Sequence, residues 1–159
     1  MKTANSLFHV VLFQPEIPAN TGAIGRTCVG IGAKLWLVRP FAFEINDRHL
    51  KRAGLDYWPY LDWEAVNDWS HLEQRVHETV DSPRFWFFTK KAEKNYDQIA
   101  FLPNDLFVYG TESTGLPQTL LDQHRSNCLK IPMRPQIRSL NLSVSVGITI
   151  FEARRQLGF

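Results

Sequence analysis

The sequence predicts an α/β protein with a mainly parallel sheet and helices on both of its faces. Short β-branched or aromatic segments, bounded by Gly, Pro and Asn, alternate with segments of helical composition along the 159 residues. A chain of this length is expected to form one domain, spanning 1–159, that needs no disulfide or structural metal. Ligands of such sheets bind beyond the carboxyl ends of the strands, so the loops after the strands are the candidate functional segments.

Each predicted element has a local pattern. Short apolar runs rich in β-branched or aromatic residues predict strands at 8–13, 34–38, 84–89, 105–109 and 128–131. Asn20 or Thr21 can cap a helix that runs to about Ile31, where Gly32 is a typical C-terminal stop. Further helices are predicted at 46–52, 69–80 and 118–123.

The segment 142–150 (LSVSVGITI) shows conflicting patterns. Apolar residues alternate with small or polar ones, which by itself predicts a strand, whereas the following FEARRQL has a helical composition. A helix over the whole stretch would have two apolar sides, the second formed by Val144, Ile148 and Phe151. Such a helix is usually buried or lies in an oligomer interface. The pattern alone leaves strand and helix open.

The composition excludes several classes of protein. With 44% hydrophobic and 13% aromatic residues, the chain is too apolar for intrinsic disorder. No apolar run approaches the ~18 residues that span a bilayer, and residues 1–6 do not resemble a secretory signal. Cys28 and Cys128 lack a CxxC partner or metal-ligand spacing, so we expect free thiols, a cytoplasmic location and no metal.

The charge is unevenly distributed, although the formal net charge is only +2. Lys and Arg exceed Asp and Glu by seven to three in 1–52 and by six to one in 124–159. In 53–123 the acidic residues exceed the basic ones by twelve to five. The two basic ends could form one face for an anionic partner. Solvated charge scattered over helices would give the same counts.

Three segments combine residues that could carry chemistry. The first is 20–27 (NTGAIGRT), at the start of the first helix, where backbone N–H groups are unpaired and glycines allow a ligand to approach. Arg26 follows Asn20 by six residues, so both could reach a shared cleft. A helix cap followed by a surface arginine is the simpler interpretation.

The second segment is 107–117 (FVYGTESTGLP), in which a strand enters a loop with two glycines and one carboxylate, Glu112. It resembles a cofactor-binding turn, although it is neither a GxGxxG motif nor a P-loop. An ordinary strand–turn–helix connection is an equally good interpretation.

The third segment is 131–143 (IPMRPQIRSLNLS), which carries Arg134, Arg138, Ser139 and Asn141 ahead of the last helix. The planar guanidinium fork suits phosphate binding, and the two prolines favour extended backbone. The alternative is a basic loop in which Ser139 or Asn141 caps the helix.

In this order, the three segments resemble the motifs of the SPOUT superfamily of S-adenosylmethionine-dependent RNA methyltransferases. More specifically, it resembles the short type (TrmL/YibK) that methylates the ribose 2′-OH of the tRNA wobble nucleotide, cytidine or modified uridine at position 34. The resemblance covers essentially the whole chain, with no separate RNA-binding domain. It implies a C-terminal trefoil knot, a helix at 141–157 and a homodimer formed through that helix.

The resemblance also implies a donor site for S-adenosylmethionine, formed largely by main-chain groups in the knot, and no metal. The motif positions that it assigns to the donor are Phe88, Thr89, Gly110, Ile131, Met133, Ser139 and Leu140.

A catalytic set is implied in the same way, with Arg26 as its key member. Because arginine stays protonated in proteins, we expect Arg26 to orient the substrate or stabilise charge rather than to act as a base. The other implied members are Asn20, Glu112, Ser139 and Asn141, and the implied RNA contacts are Arg26, Arg134 and Arg138.

Two other functions stay open from the sequence. The chain could methylate another RNA, such as ribosomal RNA, or it could be a catalytically silent RNA-binding module. The presence of Arg26, Glu112, Ser139 and Asn141 together argues against the silent module.

Overall fold

The computed structural model describes residues 6–45 and 55–158. Its strands form one seven-stranded sheet in the order β3-β2-β1-β6-β4-β7-β5, and every neighbouring pair is parallel. The strands are β1 His9–Phe13, β2 Lys34–Val38, β3 Trp63–Val66, β4 Phe85–Phe88, β5 Lys94–Asn95, β6 Leu106–Tyr109 and β7 Cys128–Lys130. The helices are α1 Pro18–Ile31, α2 Trp69–Thr79, α3 Gln118–Gln123 and α4 Leu142–Gln156, with 3₁₀ turns at Leu55–Tyr60, Tyr96–Gln98 and Arg125–Asn127.

Helices cover both faces of the sheet, and each face has its own buried apolar cluster. Ile24 of α1 and Val146 of α4 pack in the first cluster. Leu72 of α2 and Leu120 of α3 pack in the second. Burial on both faces explains why the central strands are almost continuously apolar. The predicted α/β class, with a parallel sheet between two helical layers, is confirmed.

The strand order reverses between β1 and β6, which pair in parallel at the centre of the sheet. From β1 the chain continues outward through β2 and β3, whereas β4, β5 and β7 lie on the other side of β6. Ligand crevices of open α/β sheets lie outside the carboxyl ends of the strands at such a reversal. The loops that follow β1 and β6 therefore meet at the expected place for a binding site.

The start of α1 differs from the prediction. The helix begins at Pro18 with Ile17 in extended conformation as its N-cap, so neither Asn20 nor Thr21 is the cap. Proline suits the first helical position because its missing N–H would have no intrahelical partner there. The predicted end is confirmed: Gly32 has a φ of 78° and donates its N–H to the carbonyl of Cys28.

The last helix, α4, confirms the helix implied by the resemblance and shows that the strand interpretation of 142–150 is wrong. Val146, Thr149, Ile150 and Ala153 are buried along one side. Asn141 is its N-cap and accepts a hydrogen bond from the N–H of Ser143. The trefoil knot stays a prediction.

Sequence patterns did not predict β3 or β5. β3 is an edge strand of only four residues, three of them partly exposed, and β5 has two residues. The predicted helix at 46–52 lies outside the described residues. In the part of the chain that the structure describes, no helix is long and apolar enough to cross a membrane.

Candidate functional site

A cavity of about 500 Å³ lies at the carboxyl edge of the sheet, among the segments that follow β1, β4, β6 and β7. Its size is that of typical small-molecule sites. Eleven of the thirteen residues singled out in the sequence line it: Asn20, Phe88, Thr89, Gly110, Glu112, Ile131, Met133, Arg138, Ser139, Leu140 and Asn141. Arg26 and Arg134 do not. We call this space the main cavity.

Glu112, in the loop after β6, ties that loop to the start of α1. Its carboxylate accepts hydrogen bonds from the backbone N–H groups of Glu16 at 2.8 Å and Ile17 at 3.0 Å. It also accepts from the side-chain amide of Asn20 at 3.3 Å. A negative charge at a helix N-terminus is favoured both by the unpaired N–H groups and by the helix dipole. Glu112 is therefore the group that caps α1 from 95 residues away in the sequence.

Asn20 connects this network to the last helix. Its Oδ1 accepts a hydrogen bond from Nδ2 of Asn141 at 3.1 Å, and Oδ1 of Asn141 accepts from the N–H of Ser143 at 2.9 Å. Asn20 is 7% exposed, so its amide is held in one orientation by partners on both sides. The polar chain from Glu112 through Asn20 to Asn141 thus joins all three sequence motifs along one wall of the main cavity.

The loop after β6 is held in shape by its own backbone. Thr111 and Gly115 exchange backbone hydrogen bonds at 3.0 and 3.3 Å. Gly115 has a φ of 73°, which favours glycine. A Cβ on Gly110 would lie 2.1 Å from the carbonyl carbon of Gly115, so no larger residue fits. The two glycines of the second motif are required by the turn itself, which presents Glu112 to the cavity.

Aromatic packing forms the floor beneath this loop. The ring of Phe88 stacks on that of Tyr109 at a centroid distance of 4.8 Å. The Tyr109 hydroxyl shares a hydrogen bond with Thr149 of α4, and burial raises the pKa of the phenol well above its usual value. The ends of β4 and β6 are thereby fixed to α4.

The third motif contributes a segment with many unused main-chain groups. Among the described residues, the segment 132–140 makes only one backbone–backbone hydrogen bond, from the N–H of Ile137 to the carbonyl of Arg134 at 3.2 Å. Since main-chain polar groups normally find partners, this segment can offer donors and acceptors to a ligand. Ile131, Met133 and Leu140, all partly buried, supply apolar surface beside them.

Arg26 and Asn20 do not share a cleft within one chain, so that expectation is wrong. Six residues turn a helix by about 240° beyond one full turn, which puts the two side chains on different sides of α1. Arg26 is exposed, and its guanidinium lies 5.9 Å from the centre of the Tyr57 ring. Tyr57 itself donates a hydrogen bond to the carbonyl of Gly22. Arg26 thus lies on a second surface of the same helix.

The glycines of the first motif were expected to allow a ligand to approach, and for Gly25 that interpretation is wrong. A Cβ at Gly25 would lie 3.1 Å from Leu61 and 3.2 Å from Trp58. The absent side chain is needed for close packing of α1 against the segment around Leu55–Tyr60.

Two positively charged residues of the main cavity were missed in the sequence. Lys90 and Lys91, which follow β4, line the main cavity together with Arg138. They lie in the acidic segment 53–123, whose charge count gave no reason to expect a cationic site there. Among the described residues, no group of three or more His, Cys, Asp or Glu is arranged to hold a metal; the expectation of no metal stays a prediction.

A parallel α/β sheet with a ligand-sized cavity beyond the strands that flank its reversal point is the architecture of an open-sheet α/β ligand-binding protein. The comparison with known families is more specific. Residues 7–151 match the SpoU rRNA Methylase family, and the chain belongs to that family.

Individual relatives agree with this assignment. The chain is 43% identical over 154 residues to the tRNA (cytidine(34)-2'-O)-methyltransferase of Burkholderia cenocepacia. The alignment covers 96% of this chain and 97% of the relative. A solved structure described as "Structural insights into the 2-OH methylation of C/U34 on tRNA" matches with a TM-score of 0.88 at 39% identity, covering 97% of this chain and 98% of that one. AviRb from Streptomyces viridochromogenes, solved in complex with AdoMet, shares the fold with a TM-score of 0.85 at 20% identity, covering 98% and 60% of the two chains.

Proposed function

We propose that the protein transfers a methyl group from S-adenosylmethionine to the ribose 2′-OH of the tRNA wobble nucleotide, position 34. The observation that carries the proposal is the convergence of eleven of thirteen motif residues on the main cavity. The near-complete alignment with a relative named for this reaction supports the same substrate. The proposal includes one domain that handles donor and RNA, and a cytoplasmic location, which suits two free, buried cysteines.

The main cavity suits the donor. Its volume of about 500 Å³ accommodates a nucleoside-sized ligand, and its wall offers both aromatic surface and unpaired main-chain groups. The donor supplies an electrophilic methyl carbon whose leaving group is a neutral thioether. The protein therefore mainly has to align the attacking oxygen with that carbon and keep water away.

The polar chain of the main cavity supplies this alignment. Because the Glu112 carboxylate already accepts three N–H hydrogen bonds, we assign it a positioning role rather than that of a general base. It holds Asn20, which in turn holds Asn141. Ser139 also belongs to the catalytic set and lines the cavity. Its side chain makes no hydrogen bond to the other described residues, so its hydroxyl is available to the ribose or the donor.

Arg26 acts from outside the main cavity. A protonated guanidinium on an exposed helix face can contact the ribose phosphate and orient the 2′-OH, whether the RNA reaches it from the same subunit or from a partner subunit. Its ring contact with Tyr57 limits its freedom without neutralising its charge.

The test is Arg26→Ala, assayed with labelled donor and tRNA. We expect methyl transfer to fall by about 100-fold or more, while donor affinity measured by calorimetry stays unchanged because Arg26 does not line the cavity. Arg39→Ala is the matched control, since Arg39 is also an exposed arginine stacked on an aromatic ring, at 5.5 Å from Phe41. Wild-type turnover in Arg26→Ala would contradict the assignment.

We also propose a homodimer formed through α4. The side of α4 opposite the core carries Val144 and Phe151, which are 49% and 47% exposed, with Ile148 between them. An apolar stripe of this kind on a helix that already buries its other side favours an interface. Phe151→Glu should shift the protein to a monomer in sedimentation, whereas Gln123→Glu on the exposed surface of α3 should not. A monomeric wild-type protein at micromolar concentration would contradict the dimer.

A further inference from the structure

A second cavity, of about 420 Å³, adjoins the main cavity. The two share Thr89, Lys91 and Leu121 in their walls. Lys94 and Arg125 line only the second cavity, as do two carboxylates, Glu93 and Asp122, and Arg125 pairs with Asp122 at 3.3 Å. Apart from Thr89, none of the motif residues assigned to the donor lines it. It is therefore a separate space that opens beside the proposed donor site and shares one cation, Lys91, with it.

The segment that separates the two cavities is firmly anchored. It leaves the carboxyl end of β4 through Thr89, whose N–H donates to the carbonyl of Leu129 at 2.9 Å. The N–H of Ala92 then returns to the carbonyl of Thr89 at 3.2 Å, and the Ala92 side chain is 8% exposed. A buried alanine between exposed lysines fixes the turn and leaves the lysine side chains in solvent.

Three lysines of this segment are not held in ion pairs by the described residues, although Asp122 is close enough to feel the charge of Lys91. Within residues 6–45 and 55–158, Lys90, Lys91 and Lys94 make no ion pair. The Lys91 ammonium donates to the side-chain carbonyl of Gln118 at 2.8 Å, and that of Lys94 to the carbonyl of Ser126 at 3.3 Å. These neutral partners position the ammonium groups and leave their charge available to an anion.

We propose that Lys90, Lys91 and Lys94, here called the lysine ledge, bind phosphates of the RNA strand beside the nucleotide that is methylated. This inference rests on the proposed function and adds an RNA-backbone subsite in the second cavity. The donor has a single carboxylate, whereas the ledge presents cations to two adjoining cavities. Charges spaced along a surface match the repeating phosphates of a strand.

Lys94→Gln tests the ledge, because Lys94 lines the second cavity and not the main one. We expect the Kd for purified bulk tRNA to rise on the order of fivefold, and the slope of log K against log salt to fall by about 0.7 to 0.9 for one lost phosphate contact. Lys94→Arg should restore both, since it keeps the charge. Donor affinity should stay unchanged.

Lys34→Gln is the control for the loss of one lysine elsewhere, because Lys34 lies at the amino end of β2, on the opposite edge of the sheet, where it pairs with Glu64 at 3.1 Å. If Lys94→Gln binds tRNA with the same affinity and salt slope as Lys34→Gln, the proposal that the lysine ledge binds RNA phosphates is wrong. A loss of donor affinity in Lys94→Gln would also overturn it, because the bound anion would then be the donor's carboxylate. In both cases methylation by the wild-type protein would leave the proposed function intact, whereas failure of the wild-type protein to methylate any RNA would overturn both.

Discussion

A carboxylate that accepts several hydrogen bonds lies beyond each end of β6, but the two carboxylates have different surroundings. At the amino end, Asp105 accepts hydrogen bonds from the Trp86 indole at 3.0 Å and the N–H of Leu102 at 2.9 Å, and it pairs with Arg84 at 3.1 Å. At the carboxyl end, Glu112 also accepts from three N–H donors. Asp105 is 1% exposed, whereas Glu112 is half-buried and lines the main cavity.

The difference lies in what each carboxylate holds together. The partners of Asp105 are Trp86 in β4, Arg84 just before β4, and Leu102 before β6, so this carboxylate ties together the amino ends of two neighbouring strands. The partners of Glu112 belong to the start of α1, and through Asn20 they reach the cap of α4. A buried carboxylate whose hydrogen bonds are all made holds the core elements together, whereas a carboxylate that borders a cavity can position the groups of a binding site. Substitutions at the two ends of β6 separate these two roles.

The largest effect on stability is expected at the amino end. Asp105→Ala leaves the Trp86 indole and the Leu102 N–H without an acceptor, which should cost about 3 kcal/mol of unfolding free energy. Urea unfolding measures this cost, and Asp105→Asn, which keeps one acceptor oxygen, should lose less. A loss below about 1 kcal/mol in Asp105→Ala would show that this end does not hold the core as described.

At the carboxyl end, the expected effect is on activity. In the wild-type protein, N–H donors face both oxygens of the Glu112 carboxylate. Glu112→Gln replaces one of these oxygens with an amide N–H, so the start of α1 and Asn20 should lose their fixed positions. We expect methyl transfer to fall about 100-fold, with the unfolding free energy changed by about 1 kcal/mol. Glu16→Gln is the control, because the Glu16 carboxylate bonds only the Ser113 hydroxyl among the described side chains. Equal activity in the two variants would remove the distinction between the two ends of β6.

The amino edge should also determine the response of stability to pH. Burial, reinforced by the charge of Lys34, lowers the pKa of His9 to about 4, and the imidazole accepts a hydrogen bond from Trp36. Because the unfolded chain binds this proton near pH 6.5, stability should be complete above that value and decrease as the pH falls towards 4. Between pH 7 and pH 5 the expected loss is about 2 kcal/mol.

His9→Asn isolates this contribution. Burial raises the pKa of Asp105, so its titration acts in the opposite sense, but it does so in both proteins. The difference between the two pH profiles, measured by urea unfolding, therefore reports the imidazole alone. Parallel profiles would mean that folding does not lower the pKa of His9, which would contradict its burial as the cause.

The smallest effect is expected where β6 meets α4. Tyr109→Phe removes the hydroxyl that bonds Thr149, and the Thr149 hydroxyl keeps the carbonyl of Ser145 as an acceptor at 2.9 Å. The unfolding free energy should drop by about 1 kcal/mol with methyl transfer nearly unchanged. A large loss of activity at full stability would instead place Tyr109 in the site.

Much of the fold was predictable because its determinants are local. The apolar runs of β1, β2, β4 and β6 and the glycine stop of α1 each depend on neighbouring residues. β3 and β5 were missed because short edge strands carry little local pattern. The pattern at 142–150 indicated a strand, and only the family resemblance predicted α4 correctly.

The site was predictable as a set of residues and not as an arrangement. The motifs located eleven of the cavity residues, but the role of Glu112 as the cap of α1 depends on a contact between residues 95 positions apart. The separation of Arg26 from Asn20 follows from helix geometry and contradicts the shared cleft that their sequence spacing suggested. Lys90 and Lys91 went unnoticed because a local charge count does not show which residues meet in space.

The central claim is that the carboxyl edge of this sheet aligns a methyl donor with the ribose at tRNA position 34. The most direct measurement is to incubate the protein with labelled donor and tRNA, map the modified nucleotide, and repeat the reaction with a tRNA that has a 2′-deoxyribose at position 34. The account predicts one labelled methyl on the ribose of nucleotide 34 and none on the deoxy substrate. Label on a base, on another nucleotide, or undiminished on the deoxy substrate would contradict it.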